Sequence, residues 1–261
     1  MPNKNESNRQ TQDLFASARW YDLGINWEAR LKREVPVLCD VFGPPGGHGL
    51  LDAACGPGRQ LGAMAEAGYH MTGLDASADM LTVSRANLAE RGVEATLIAS
   101  PFDGIPSDTG PFDGIYCIGN SLAATGSLQA AERSLGALAS ALVPGGKLFV
   151  QILNFEKLRN EQPRVRGPRV RRVGETEYIS ARVFAFQGDA VEVTNVTFWN
   201  ERGWRQYARS ASLYAISRQQ MTDWCEANAL AVDVTYGNYN RDPFDPAASD
   251  DLIVVATRKE A

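Results

Sequence analysis

Leu50-Leu51-Asp52-Ala53-Ala54-Cys55-Gly56-Pro57-Gly58 is the stretch that decides the fold. Gly49 to Ala54 reads as a strand, and Gly56-Pro57-Gly58 turns the chain where side chains are nearly absent. A turn so bare lets a ligand lie against the backbone and meet free N–H groups. Working outward, Gln60 to Ala67 reads as a helix that stops at Gly68. His70 to Leu74 is a second strand ending at Asp75, and Ala78 to Glu90 is a helix with Gly92 beyond it. Asp75 lies 17 residues after Gly58. An acid placed there can accept hydrogen bonds from both hydroxyls of a ribose. Turn and acid together indicate a nucleoside cofactor, without saying which one.

The alternation continues. Ala95 to Ala99 is a short strand, Pro101 to Pro111 a loop, Phe112 to Ile118 an apolar strand and Leu128 to Leu142 a helix. Pro144-Gly145-Gly146 then turns into the strand Lys147 to Leu153. Strand–helix–strand alternation of this length predicts an α/β, Rossmann-like, doubly wound and mostly parallel sheet with helices on both faces. After Asn154 the pattern changes. Arg182 to Phe186, Ala190 to Trp199 and Trp204 to Leu213 alternate β-branched or aromatic residues with polar ones, separated by turn signals. That is the pattern of an inserted antiparallel layer of three or four strands. Helix returns at Ser217 to Ala227, and strands at Ala231 to Tyr236 and Leu252 to Thr257. The expected organisation is a flexible arm at 1–12, a helical cap at 13–42, a Rossmann-like core at 43–158, the β insertion at 159–216 over the substrate site, and the rest of the core at 217–261.

Composition narrows the function. The chain has 261 residues, 44% hydrophobic and 22% charged, in the range of a globular protein with one sizeable core. No apolar run is long enough to span a membrane, and the polar first twelve residues lack a signal-peptide core, so a cytoplasmic location is expected. A net charge of −5 disfavours a nucleic-acid partner. Cys39, Cys55, Cys117 and Cys225 are scattered and His48 and His70 lack ligand spacing, so no metal site and no disulfide framework are expected. A dinucleotide would want Gly-x-Gly-x-x-Gly, but Leu61 stands where the third glycine belongs and Gly62 comes one residue late. An acid at the end of the first strand, Asp52, suits a ligand bearing an amino group, such as S-adenosylmethionine. An NAD(P)-dependent oxidoreductase remains the distant alternative.

Four segments, in order and at matching spacing, resemble class I methyltransferases. They are Asp52–Gly58, Gly73–Leu81, Phe112–Ser121, and Pro144-Gly145-Gly146 followed by Asn154-Phe155. They are most similar to the glycine/sarcosine N-methyltransferase group. The resemblance runs from about residue 20 to 156. It implies methyl transfer from S-adenosylmethionine to a small-molecule acceptor, at nitrogen, with S-adenosylhomocysteine as product. An O- or C-methyltransferase of a secondary metabolite is the alternative. It also implies residue roles. Ala54, Cys55, Gly56 and Gly58 would cradle the methionine part, and Asp75 the ribose. Ala76, Ser77 and Met80 would surround the adenine. Ser100 would bond its amino group and Pro101 cover its ring. Ile118 would lie beside the methyl-sulfonium. Arg30, 22 residues before Asp52, would pair with the cofactor carboxylate, and Tyr21 would close the same end.

On the acceptor side the resemblance points to Asn120 for positioning and to Tyr178 and Tyr214 from the insertion. Two departures stand out. Leu153 occupies the place of the arginine that grips an amino-acid carboxylate, and Ala124 replaces a histidine. Losing the charged partner should weaken glycine binding severely, so a different acceptor is expected. Arg159, Arg164, Arg166, Arg169, Arg171 and Arg172 crowd one segment. The bland reading is an exposed loop and edge strand whose charges block aggregation. The sharper reading is a mobile arm that recruits an anionic substrate.

Overall fold

A computed structural model describes residues 18, 21–22, 25–200 and 202–260. The expected arm at 1–12 lies outside the described residues. Helix α1 (Trp27–Phe42) is capped by Asn26, whose side chain accepts from the Ala29 N–H at 3.2 Å. The apolar spacing reads as helical over 13–42 without marking a break. Instead the chain bends at Ile25, because Asn26 starts a new helix by satisfying one of its orphan donors.

The core alternates as the sequence implies: β1 (Leu50–Ala53), α2 (Arg59–Glu66), β2 (Met71–Asp75), α3 (Ala78–Arg91), β3 (Thr96–Ala99), β4 (Phe112–Cys117), α4 (Leu128–Ser140) and β5 (Leu142–Leu153). The chain ends with α6 (Arg218–Ala227), β10 (Leu230–Tyr236) and β11 (Asp251–Arg258). The seven strands form one sheet in the order β10-β11-β5-β4-β1-β2-β3, parallel except where β11 runs against both neighbours. Alternate strand residues feed opposite layers. Leu51, Ile115, Val150 and Val254 pack with Leu135, Leu138 and Met221 of α4 and α6. Leu50, Tyr116, Phe149 and Ile253 pack with Leu38, Leu61 and Leu88 of α1, α2 and α3.

Two local expectations need correction. Pro144-Gly145-Gly146 does not precede β5 but lies within it. Phe112 pairs with Leu142 and Gly114 with Lys147, so the extra residues loop out as an irregularity of the strand. A short helix, α5 (Phe155–Glu161), follows β5 unannounced, its start capped by Asn154.

The insertion is a four-stranded antiparallel sheet: β6 (Val165–Val173), β7 (Thr176–Gln187), β8 (Ala190–Asn200) and β9 (Trp204–Tyr214), in that order. Its apolar root, Phe184, Val191, Val193 and Leu213, joins the cluster that holds Leu122, Phe155 and Leu158. The root therefore sits on the C-terminal ends of β4 and β5, where doubly wound sheets place ligands.

Candidate functional site

The turn after β1 is held in a conformation that few side chains tolerate. Ala54, Gly56 and Gly58 have φ of 68°, 52° and 73°. For a non-glycine such as Ala54 this is backbone strain of the kind that clusters at functional sites. A Cβ on Gly58 would collide with Ser84 of α3, so that glycine serves helix packing. A Cβ on Gly56 would meet nothing within 4 Å. Gly56 borders open space.

Asp75 stabilises this turn from β2. Its Oδ2 accepts from the Gly56 N–H at 2.8 Å and its Oδ1 from the Ser77 N–H at 2.9 Å. A carboxylate has about four lone-pair sites, so both oxygens can accept further donors.

Asp52 has no such support. It is 2% exposed, and among the described residues neither its Oδ2 nor the Tyr116 hydroxyl has a partner in hydrogen-bond geometry, although the two groups lie close enough to act on each other. Burial pushes its carboxyl up to about 8, and the charges of Asp75 and Glu34 add to this; the adjacent Tyr116 hydroxyl and the more distant Arg30 oppose it. A buried acid left in this condition fits a site that receives a cation.

The N-terminal cap supplies the next wall. Glu34, 1% exposed, accepts from Arg30 Nε at 2.8 Å, Arg33 Nη2 at 3.1 Å and Gln60 Nε2 at 2.8 Å. Burial lowers the Arg30 guanidinium, but Glu34, Tyr21 and Tyr239 outweigh it and the net shift is upward. Glu34 takes Nε, while Arg30 Nη2 stands beside Gly119, at the end of β4. The segment before α1 is tied down by Asp22, which receives both Nε and Nη2 of Arg59 at 2.9 and 2.7 Å, and Asn87 Nδ2 at 3.3 Å. Tyr21 packs with Ala18, Met80 and Val83 against α3, and Arg209 of β9 lies 5.3 Å above its ring. Tyr21 thus bridges α3 and the insertion.

At the other end of the crevice Ser77 caps α3, and Met80 beneath it is buried. Ser100 donates its hydroxyl proton to the Gly104 carbonyl at 2.6 Å. Its oxygen is left as an acceptor. Ala76 and Pro101 are exposed, and Ile118 is buried at the end of β4.

On the acceptor side, Asn120 does not stand free. Its Oδ1 accepts from the Leu153 N–H at 2.6 Å, and its φ is 72°. It clasps the ends of β4 and β5, which is a turn-stabilising role. Beside it, the Gly119 N–H donates to Gln151 Oε1 at 2.7 Å, and Gln151 Nε2 donates to Asp251 Oδ1 at 2.8 Å. Burial raises the Asp251 carboxyl, while Gln151 and Arg33 oppose the shift. The tyrosines need correction. Tyr214 neighbours the inward-facing Leu213, so alternation puts it on the opposite face of the sheet. Tyr178 shares the inner face but stands six residues from the root, under the Arg171 guanidinium at 4.9 Å.

Several residues escaped the sequence reading: Gln151, Asp251, Arg182, Asn195, Tyr207 and Arg209. The last four share the inner face with Phe184, Val193 and Leu213. The period-two pattern from Phe184 back to Arg182 was the available signal. Of the arginine cluster, Arg159, Arg166 and Arg172 pair with Asp189, Glu161 and Glu177, and 165–173 is an edge strand.

Residues 50–146 match the methyltransferase domain family. Over 96% of its length the chain superposes on an S-adenosylmethionine-dependent methyltransferase from Clostridium acetobutylicum, covering 99% of that chain with a TM-score of 0.74 at 13% identity. The chain has the fold of class I methyltransferases, and its residues 50–146 match a methyltransferase domain. A second methyltransferase structure is similar across 94% of this chain and 96% of its own, with a TM-score of 0.69 and 18% identity. It is an amino pentose methyltransferase from Micromonospora echinaspora, solved with S-adenosylmethionine bound. By sequence, the chain is 30% identical over 139 residues to glycine/sarcosine N-methyltransferase of Halorhodospira halochloris, covering 53% of this chain and 52% of that protein. It is 34% identical over 111 residues to a ubiquinone biosynthesis O-methyltransferase of Xanthomonas axonopodis, covering 42% and 45%. The chain spans about half the length of the relatives it matches. No described helix is long and apolar enough to cross a membrane.

Proposed function

We propose that the protein transfers a methyl group from S-adenosylmethionine to a small-molecule acceptor, at nitrogen. The carrying observation is Asp52, a buried carboxylate with an orphaned oxygen beside a side-chain-free turn. The cofactor's methionine end offers what that place lacks, an ammonium. The rest of the donor set fits. Arg30 keeps its Nη atoms for the carboxylate, and Tyr21 closes over them. Ala54, Cys55, Gly56 and Gly58 present backbone to the methionine chain. Asp75 takes the two ribose hydroxyls. Ser100 accepts from the adenine amino group, with Ala76, Ser77, Met80 and Pro101 around the ring. When bound, the cofactor supplies a methyl group on a sulfonium, an electrophile whose leaving thioether is neutral.

This chain's residues then have to position and dry the site. Ile118 walls the position of transfer, while Tyr21 and strands β7 to β9 exclude water. Asn120 acts by fixing the β4–β5 junction, not by touching the acceptor. Nitrogen is favoured because an amine attacks through a lone pair it already has and needs no strong base. Two of the similar proteins are named for amine-bearing compounds. Oxygen transfer is the second reading, favoured by Asp251, whose raised carboxyl at the crevice could take a hydroxyl proton. The acidic net charge favours a small molecule over nucleic acid.

The test is calorimetry with S-adenosylhomocysteine, followed by transfer of labelled methyl groups to panels of amines and alcohols. Saturable binding and labelled amine products are expected. No uptake at high micromolar concentration, with Asp75→Ala indistinguishable from wild type, would overturn the reading.

A further inference from the structure

The inner face of the insertion changes character along its strands. Nearest the core it is apolar, with Phe184 opposite Val193. One rung further out Arg182, Asn195 and Arg209 stand side by side on β7, β8 and β9. Arg169 of β6 pairs with Ser180, on the same face. Among the described residues none of Arg169, Arg182 and Arg209 has a carboxylate within ion-pair distance, whereas Arg159, Arg166 and Arg172 of the same insertion all do. Arg182 donates its Nε to Asn195 Oδ1 at 3.1 Å, which aims the guanidinium and leaves its terminal nitrogens uncommitted.

This rung faces the cofactor crevice. Arg209 lies over Tyr21, and Arg182 is within electrostatic range of Tyr21, Arg30 and Asp251. Arg182 keeps solvent access although protein surrounds it, as a residue lining a crevice does. That enclosure, followed by the positive charges of Arg169 and Arg30, lowers its guanidinium, with Asp251 and Tyr21 opposing. Asp251 and Asp250 lie within electrostatic range of Arg182 and Arg169, but among the described residues no carboxylate pairs directly with these like charges, and an anion joining them would be favoured. The flanking strands set Arg182 and Arg209 about 10 Å apart at the backbone, one on each side of Asn195. An oxyanion over Asn195 would be flanked by the two guanidiniums.

We propose that Arg182 and Arg209, backed by Arg169, form a phosphate-binding subsite, and that the methyl acceptor is a phosphate-bearing small molecule. This rests on the methyltransferase reading above. A lone carboxylate would neutralise one guanidinium of the three, whereas a phosphate group brings up to two charges and oxygens enough for two guanidinium forks. The cofactor carries no phosphate, and its carboxylate has Arg30.

The experiment is calorimetry of the full chain with inorganic pyrophosphate, phosphate and acetate at constant ionic strength, alongside S-adenosylhomocysteine. Wild type is expected to bind pyrophosphate or phosphate at least tenfold tighter than acetate. Arg182→Gln should weaken phosphate binding tenfold or more and leave S-adenosylhomocysteine within twofold, and Arg209→Gln, whose guanidinium covers Tyr21, should also weaken phosphate binding tenfold or more. Arg182→Lys, which keeps the charge but loses the fork, should fall between. If Arg182→Gln does not fold, Arg209→Gln and Arg182→Lys carry the test. Equal binding of acetate, no phosphate binding at millimolar concentration, or phosphate binding unmoved by the variants overturns the subsite. The phosphate titrations judge this proposal alone, and the S-adenosylhomocysteine titration judges the methyltransferase reading alone.

Discussion

Replacing Asp52 with asparagine should make the ligand-free protein more stable at neutral pH while weakening cofactor binding. The wild-type carboxyl sits at about 8 in the folded chain, against 3.8 for the unperturbed group. An acid raised by folding keeps its proton in the native state at pH values where the unfolded chain has released it. The associated stability is fully present below pH 4, falls as pH rises through the interval, and is gone above about pH 8. The slope is about 1.4 kcal/mol per pH unit. Between pH 5 and pH 7 wild type should therefore lose roughly 3 kcal/mol relative to Asp52→Asn, whose amide does not titrate. Urea denaturation of both proteins at pH 5, 6 and 7 measures this directly. For a chain of this size the difference corresponds to a Tm shift of roughly 5–10 °C. A second reading comes from binding. An ammonium beside Asp52 favours its charged form, so S-adenosylhomocysteine should expel most of a proton from wild type at pH 7 and none from the variant, as read by calorimetry in two buffers. Parallel stability curves for the two proteins would refute the reasoning, because they would mean that Asp52 is ionised and satisfied without a ligand.

Three further outcomes are expected. Asp75→Ala removes a charged acceptor for two hydroxyls and the support of the Gly56 N–H, so S-adenosylhomocysteine affinity should fall by about 10–100-fold in titration calorimetry. Gly58→Ala and Gly56→Ala should separate stability from binding. The first clashes with Ser84 and should cost about 1–3 kcal/mol in denaturation, whereas the second projects into open space and should lower ligand affinity at least tenfold with the smaller loss of stability. Asp22→Ala leaves Arg59 without its bidentate partner and frees the segment before α1. A loss of about 3 kcal/mol and faster proteolysis before Trp27 are expected, and unchanged proteolysis would show that Asp22 does not hold this segment.

Much of the core could be read from the chain because its signals are local. Asp52 to Gly58 is a run of small residues that forces a bare turn whatever surrounds it, and Asp75 closes a strand whose period is plain. The helix starts at Ser77 and Ser217 carry their own capping residues. The break before Trp27 was missed because apolar spacing runs through it, while the cap that ends the continuity is a single asparagine. The Pro144-Gly145-Gly146 irregularity was placed outside β5 because a turn signal does not say whether its neighbours pair across it.

On the acceptor side, legibility failed for a different reason. Tyr214, to which the resemblance points, is turned to the opposite face by strand parity. Asn120 was given to the acceptor, yet its carbonyl oxygen is taken by Leu153 N–H, a partner 33 residues away. Arg182 carries no local sign that separates it from its strand neighbours, whereas the arginines at 159–172 crowd one segment.

What the chain's own order determined, then, is the parallel core and the cofactor turn, since backbone conformation and hydrophobic period depend on residues near one another. Which side chains meet above that turn was decided only by folding. Strand register fixes the parity of Arg182, Asn195 and Arg209, and the docking of the insertion's apolar root fixes which face looks into the crevice. Both depend on contacts between residues far apart in sequence, so no local pattern of residues can encode them.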